Sequence, residues 1–307
     1  MDDQALIEWL LTGDASIQYQ TRRDLLNIND TVLQARIATE GWGAQFLALR
    51  KPDGNWGRKF YQPKWTSTHY TLLDLKNLGL PQNHPAVQET IAMVLNTLKA
   101  NDGGILPIGD IGKSDVCING MFLNYASYFR AEEVDLHSVV DALLGEHMAD
   151  GGFNCRSNRS GAVHSSLHTT LSVIEGIHSY AVNGYNYRLD ELRSAESASQ
   201  AFILEHRLYQ SHRSGETIDP RFLRLSYPSR WRYDILRALD YFRLTGVKYD
   251  ERMDDAMQVL LKKRRKDGTW PLQARHPGQT HFEMEKAGQT SRWNTLRALR
   301  VVRHFNI

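Results

Sequence analysis

The sequence predicts an all-α fold of helical hairpins, six of them, closing into a ring, and three observations carry that reading. A turn signature recurs as "DGNWG" at 53, "DGGIL" at 102, "DGGFN" at 150 and "DGTWP" at 267, with intervals of 49, 48 and 117 residues. A fixed period of this length marks a repeat architecture. Before the turns run apolar residues at three- and four-residue spacing, as in "VQETIAMVLNTLKAN", "LHSVVDALLGEHMA" and "MDDAMQVLLKKRRK", the pattern of amphipathic outer helices. No segment alternates with the period of two that a strand requires.

The second helix of each hairpin follows the turn across a polar loop. In order these are "ASIQYQTRRDLL" near the start, "STHYTLLDLKNLG", "SDVCINGMFLNYASYF", "HSSLHTTLSVIEGI", "SRWRYDILRALDYFR" and "SRWNTLRALRVVRHF", the last two visibly copies of each other. The long final interval fits two units, with "SHRSGE" at 211–216 standing where a fifth turn has lost its signature. In the turn itself, glycine permits left-handed backbone at a helix end, and the following aromatic can pack between hairpins, so the signature is a staple and not a catalyst. An open stack of hairpins needs polar caps at both ends. Here "RRDLL" and "LRALRVV" in the first and last inner helices are partly apolar, which favours closure into one domain over residues 1–307.

Composition narrows the function. With 41% apolar residues the chain can bury a large core, and 37 basic against 35 acidic residues leave a net charge of +2, too small and too evenly spread for a nucleic-acid footprint. The acidic start "MDDQALIEWLLTGD" lacks the basic n-region of a signal peptide, and no stretch approaches the roughly 18 apolar residues of a membrane span. Two cysteines form no disulfide framework. The expectation is a cytoplasmic protein without stable membrane insertion.

"KSDVCING" at 113–120 sets an acid and a thiol at an inner-helix start. Read singly, Asp115 is an N-cap, Cys117 a small buried apolar residue, and His168 at the next inner-helix start a core or rim histidine. Read jointly, carboxylate, thiolate and imidazole are competent zinc ligands, and three protein ligands leave a fourth position for substrate. The helix dipole is expected to lower the Cys117 pKa. Cys155, in the loop leading to the same helix, and His164, one turn before His168, could replace a ligand or close the site. Further polar and aromatic groups stand at other inner-helix starts: Arg230, Trp231 and Tyr233 in "SRWRYD", Arg292 and Trp293 in "SRWNT", and Trp65, His69 and Tyr70 in "KWTSTHY". Arginines can clamp a phosphate or carboxylate, and aromatics can wall an apolar or cationic intermediate, although Ser-Arg-Trp is equally readable as a repeated capping element.

The hairpins with "DGNWG" and "DGTWP" resemble the repeats of squalene cyclases and protein prenyltransferase β subunits, the terpenoid cyclase and prenyltransferase superfamily, and the resemblance implies their α/α toroid. "KSDVCINGMFLNYASYF" followed by "DGGFNCRSNRSGAVHSSLHTTLSVIEG" is similar to the zinc-binding part of prenyltransferase β subunits, and the implied ligands are Asp115, Cys117 and His168. Asp110 and Ser114 have no role in that pattern. Where that family carries basic residues before and an aromatic after Asp-x-Cys, this chain has Gly109, Gly112 and Ile118, with Lys113 the one cation at hand. The Asp-x-Asp-Asp cluster of squalene cyclases does not occur either. Three functions stay open: a zinc-assisted transferase acting on an isoprenoid-like or other apolar substrate, a cyclase with Asp115 as general acid, or a non-catalytic toroid that binds a ligand or protein.

Overall fold

A computed structural model describes residues 3–107 and 112–307, and these are mostly helical. Gly109 and Asp110 lie outside the described residues. The helices are α1 (Asp3–Leu11), α2 (Ala15–Leu25), α3 (Thr31–Arg36), α4 (Gly41–Ala48), α5 (Thr68–Leu78), α6 (Pro85–Thr97), α7 (Val116–Tyr128), α8 (Glu133–Gly145), α9 (Ser157–Ser160), α10 (Leu167–Val182), α11 (Leu189–Glu205), α12 (Ile235–Leu244), α13 (Asp254–Lys262) and α14 (Arg292–Phe305). Among the described residues, the named strands are β1 (Trp270–Pro271) and β2 (Thr290–Ser291), a short antiparallel pair. No helix of the described residues is long and apolar enough to cross a membrane.

The six segments expected as inner helices are all helical, as α2, α5, α7, α10, α12 and α14. The repeated turn is one structure copied four times. The glycine amide donates back to the carbonyl of Lys51, Ala100, Met148 or Arg265, at 3.0, 3.0, 2.9 and 2.9 Å, and the amide of each of these residues donates in return across the turn. Gly54, Gly103, Gly151 and Gly268 adopt φ of 81°, 86°, 90° and 89°, backbone that a side chain would strain. The residue after the turn, Trp56, Ile105, Phe153 or Trp270, is fully buried. Its amide donates to a polar side chain of the following inner helix: Thr68 (3.0 Å), Asn119 (2.8 Å), Thr170 (3.0 Å) or Thr295 (3.0 Å). Turn and inner helix are thereby locked in register, since an unpaired buried amide is costly. The segment 211–216 turns differently, with Ser211 donating to the Glu216 carbonyl at 2.8 Å.

The chain divides into two compact units. The terminal unit comprises Met1–Ala48, Asn77–Pro81 and Leu204–Ile307, and the middle unit comprises Leu49–Lys76 and Gln82–Ile203. In the terminal unit α14 packs against both α12 and α2. Arg300, only 8% exposed, donates to Gln20 at 2.6 Å and pairs with Asp24 at 2.8 Å, linking those two helices.

In the middle unit α7 and α10 run side by side in the same direction: Gly120 faces Val173, and Ser179 donates to the Asn124 carbonyl at 2.8 Å. Their approach needs glycine. A Cβ on Gly176 would stand 2.3 Å from the Gly120 carbonyl oxygen, and one on Gly120 would stand 2.6 Å from Val173 Cα. This contact fixes the register of α7 against α10.

Candidate functional site

The register of the repeats places Thr66, Cys117 and His168 identically, each two residues before the side chain that receives the turn amide. Cys117 lies in the first turn of α7, and Cys155 lies in the loop that runs from the third turn to α10. That loop is pinned to α10, because the Cys155 amide donates to Thr169 Oγ1 at 3.2 Å and the Ser166 amide donates to the Phe153 carbonyl at 2.8 Å. Its position brings Cys155 Sγ to the start of α7, where it accepts the Cys117 amide at 2.9 Å. The two thiols also meet each other. Cys117 donates to Cys155, which raises the Cys117 pKa well above the ordinary thiol value, with burial and the nearby charges of Cys155 and Asp115 adding to the effect and Lys64 opposing it. The same bond lowers the Cys155 pKa, helped by Thr169 and by the Cys117 amide.

This reverses one expectation. The helix end favours a thiolate, as a helix dipole should, but the favoured sulfur is Cys155 and not Cys117. Geometry decides it: the α7 amide points at the neighbouring loop's sulfur, while the Cys117 side chain is left as the donor.

Asp115 occupies the N-cap position of α7 without making a side-chain capping bond. Its carboxylate instead acts on Cys117, Cys155 and Tyr61, each of whose pKa values it raises. Tyr61 joins this group to an aromatic wall. Its hydroxyl lies 3.1 Å from that of Tyr70, and its ring packs on His69 and Tyr70 at 5.6 Å. Trp65 packs edge-on to Tyr70 at 4.9 Å, and the Lys64 ammonium sits 5.0 Å from the Trp65 ring centre. His69 is fully buried, with Nδ1 3.1 Å from the Tyr125 hydroxyl and Nε2 without a hydrogen-bond partner among the described residues. Burial holds its pKa down at about 3, so it is neutral. Trp65, His69 and Tyr70 thus belong to the same neighbourhood as Asp115 and the two cysteines. Tyr61, Lys64 and Tyr125 join them there. Of these, Lys64 was signalled in the sequence by holding the Asp115 position one repeat earlier.

His164 departs from expectation. Helix α10 begins at Leu167, so His164 is exposed on the preceding segment and does not share a helical face with His168. Its carbonyl accepts from Asn154 at 2.7 Å. His168, in the first turn of α10, is half-buried.

The remaining candidates belong to the terminal unit. Helix α12 starts at Ile235 rather than at the Ser-Arg-Trp, because Arg230 takes left-handed backbone (φ 58°) and Asp234 caps the helix through the Arg237 amide at 2.8 Å. Arg230 and Trp231 are therefore loop residues, and Arg230 is 6% exposed. Tyr233 is core: its ring packs edge-on to Phe222 at 5.0 Å and its hydroxyl donates to the Leu208 carbonyl. Arg292 opens α14 as expected, but its guanidinium stacks 4.5 Å over Trp9 and donates to the Trp9 carbonyl and to Thr12, both at 3.2 Å. Trp293 stacks on Tyr227 at 4.7 Å and faces Trp42 at 6.1 Å.

Whether zinc suits the middle-unit cluster can be judged from its donors. Two sulfurs in contact, one already favoured as thiolate, with a carboxylate in electrostatic reach, are the right chemistry. Among the described residues, however, no three His, Cys, Asp or Glu side chains stand together in a metal-holding group. In comparisons with known proteins, no family model matches the chain and no curated protein matches it.

Proposed function

We propose that the chain is an enzyme that transforms an isoprenoid-like or other apolar substrate at the end of α7 and α10, with zinc held by the Cys117 and Cys155 sulfurs and by Asp115 or His168, three ligands that leave a fourth position open. The observation that carries this reading is the Cys155 sulfur at the start of α7. A helix start capped in the ordinary way would use the carboxylate of Asp115, whereas here Asp115 makes no capping bond, the amide serves a thiol, and the Asp115 charge acts to raise the pKa of both sulfurs. Bound zinc would supply a lowered pKa to a thiol or water nucleophile. The chain's own residues do the rest. Tyr61, Trp65 and Tyr70 offer an apolar wall beside the donors, Lys64 brings a positive charge for an anionic substrate group, and the neutral His69 holds Tyr125 in place.

The toroid is part of the proposal. It is supported by six hairpins in repeat and by the contact of α2 with α14, the first and last inner helices, which an open stack would leave apart. A single domain follows if the ring closes.

The direct test is cobalt substitution. A thiolate-ligated cobalt with an open position should change its visible spectrum when a small thiol or anion is added. A protein that takes up no metal would leave a cyclase-like enzyme using Asp115 as acid, or a binding protein.

A further inference from the structure

The contact between Cys117 and Cys155 has a second chemical consequence. An amide nitrogen lies about 1.46 Å from its Cα, so with 2.9 Å between the Cys117 nitrogen and Cys155 Sγ that sulfur falls within about 4.4 Å of Cys117 Cα. A sulfur this close to the partner's Cα is compatible with the Cα–Cα spacing of about 4.4 to 6.8 Å found in disulfide-bonded cysteines. The two residues stand on independent segments, one in the first turn of α7 and one in the loop before α10. Both are half-buried, open to a small oxidant while sheltered from larger ones. They are the only cysteines in the chain, so each has a single intramolecular partner.

We propose that a peroxide converts Cys117 and Cys155 into an intramolecular disulfide, and that this oxidation reversibly shuts the site at the end of α7 and α10. The second half of this statement rests on the proposed function; the first half does not. One thiol attacks the peroxide oxygen, its S–O bond forming as the O–O bond breaks, to give a sulfenic acid and water. The other thiol attacks that sulfur, forming the S–S bond and expelling the hydroxyl as a second water. Two thiols are oxidised by two electrons and one hydrogen peroxide is reduced to two waters. The neighbouring thiol captures the sulfenic acid before a second peroxide can, which keeps the modification on the reversible part of the ladder. Both sulfurs are then consumed, and neither can bind zinc.

The test uses the full-length purified protein, treated with hydrogen peroxide, denatured and alkylated. The expected product has lost about 2 Da, carries no alkyl groups, yields a peptide joining Cys117 to Cys155, and regains both thiols with a reductant. Two alkylated thiols after treatment, gains of oxygen, or disulfide-linked dimers would overturn the proposal. In Cys117→Ser, Cys155 should instead gain oxygen under the same dose. Its failure to react there, with the wild type unbridged, would also count against the pair. Zinc measured before and after treatment separates the two ideas. A disulfide in a protein that never held zinc sinks the zinc reading alone. Zinc retained in fully bridged protein sinks the switch.

Discussion

The starts of α7 and α14 answer the same physical demand in opposite ways. At α14 the chain closes the helix with its own groups. Glu285 accepts the Arg292 amide at 2.6 Å, the Trp293 amide at 3.3 Å and the Ser291 hydroxyl, while Ser291 Oγ accepts from Asn294 at 2.9 Å. At α7 the residue in the capping position makes no capping bond, and the Cys117 amide goes to a cysteine from another repeat. A helix end sealed by carboxylate and hydroxyl is finished as structure. One whose amide serves a thiol pair has kept its polarity available for chemistry, and this difference locates the candidate site in the middle unit.

The α7 start depends most on the crossing that supports this helix. Gly176→Ala should destabilise the protein by about 3 kcal/mol, since its methyl group would press on the Gly120 carbonyl in a packed core. It should also disturb the cysteine pair, because the register of α7 against α10 would shift. Chemical denaturation and thiol accessibility report the two effects. An unchanged midpoint would mean that the helices can separate freely.

Glu285→Ala should cost about 1 to 2 kcal/mol, the range for a lost cap, and it should leave the cysteines untouched. Asp115→Ala, although it also alters a residue at a helix start, should cost less than about 0.5 kcal/mol, because no capping bond is lost. A larger loss in Asp115→Ala than in Glu285→Ala would erase the contrast on which the site assignment rests.

The effect that vanishes at neutral pH concerns buried histidines. Burial lowers His69 to about 3 in the middle unit, and burial with the charge of Arg230 lowers His276 and His281 to about 4 in the terminal unit, His276 also feeling Arg232 and Arg237. A depressed pKa means that the unfolded chain binds the proton first. The stability they contribute is therefore whole above the unfolded value of about 6.5 and is lost as pH falls towards 4 and 3. Thermal melts across that window should show the decline, and His69→Phe should make it shallower. A Tm that rose on acidification would contradict the sign.

Six inner helices and four turns were legible because they repeat, and a period survives any detail of packing. The polar partners that lock each turn to its helix were not legible. Thr68, Asn119, Thr170 and Thr295 lie at differing distances from their turns, and nothing local marks a threonine as an acceptor for a distant amide. Asp115 and Cys117 were found from their placement at a helix start, while the favoured sulfur was misread, since the aim of an amide depends on where a separate loop brings Cys155. Arg292 shows the same limit. Its type suggested a substrate clamp, and its partners Trp9 and Thr12 come from the far end of the chain.

The cysteine pair at α7 is proposed to be a metal site and not a packed core contact. Metal analysis of protein purified without a chelating tag tests it most directly, in wild type, Cys117→Ser and Cys155→Ser. One zinc per wild-type chain and almost none in either variant are expected, with the helical circular dichroism nearly unchanged, because the hairpins and not the metal bury the core. A metal-free wild type, or variants that keep full occupancy, would contradict it.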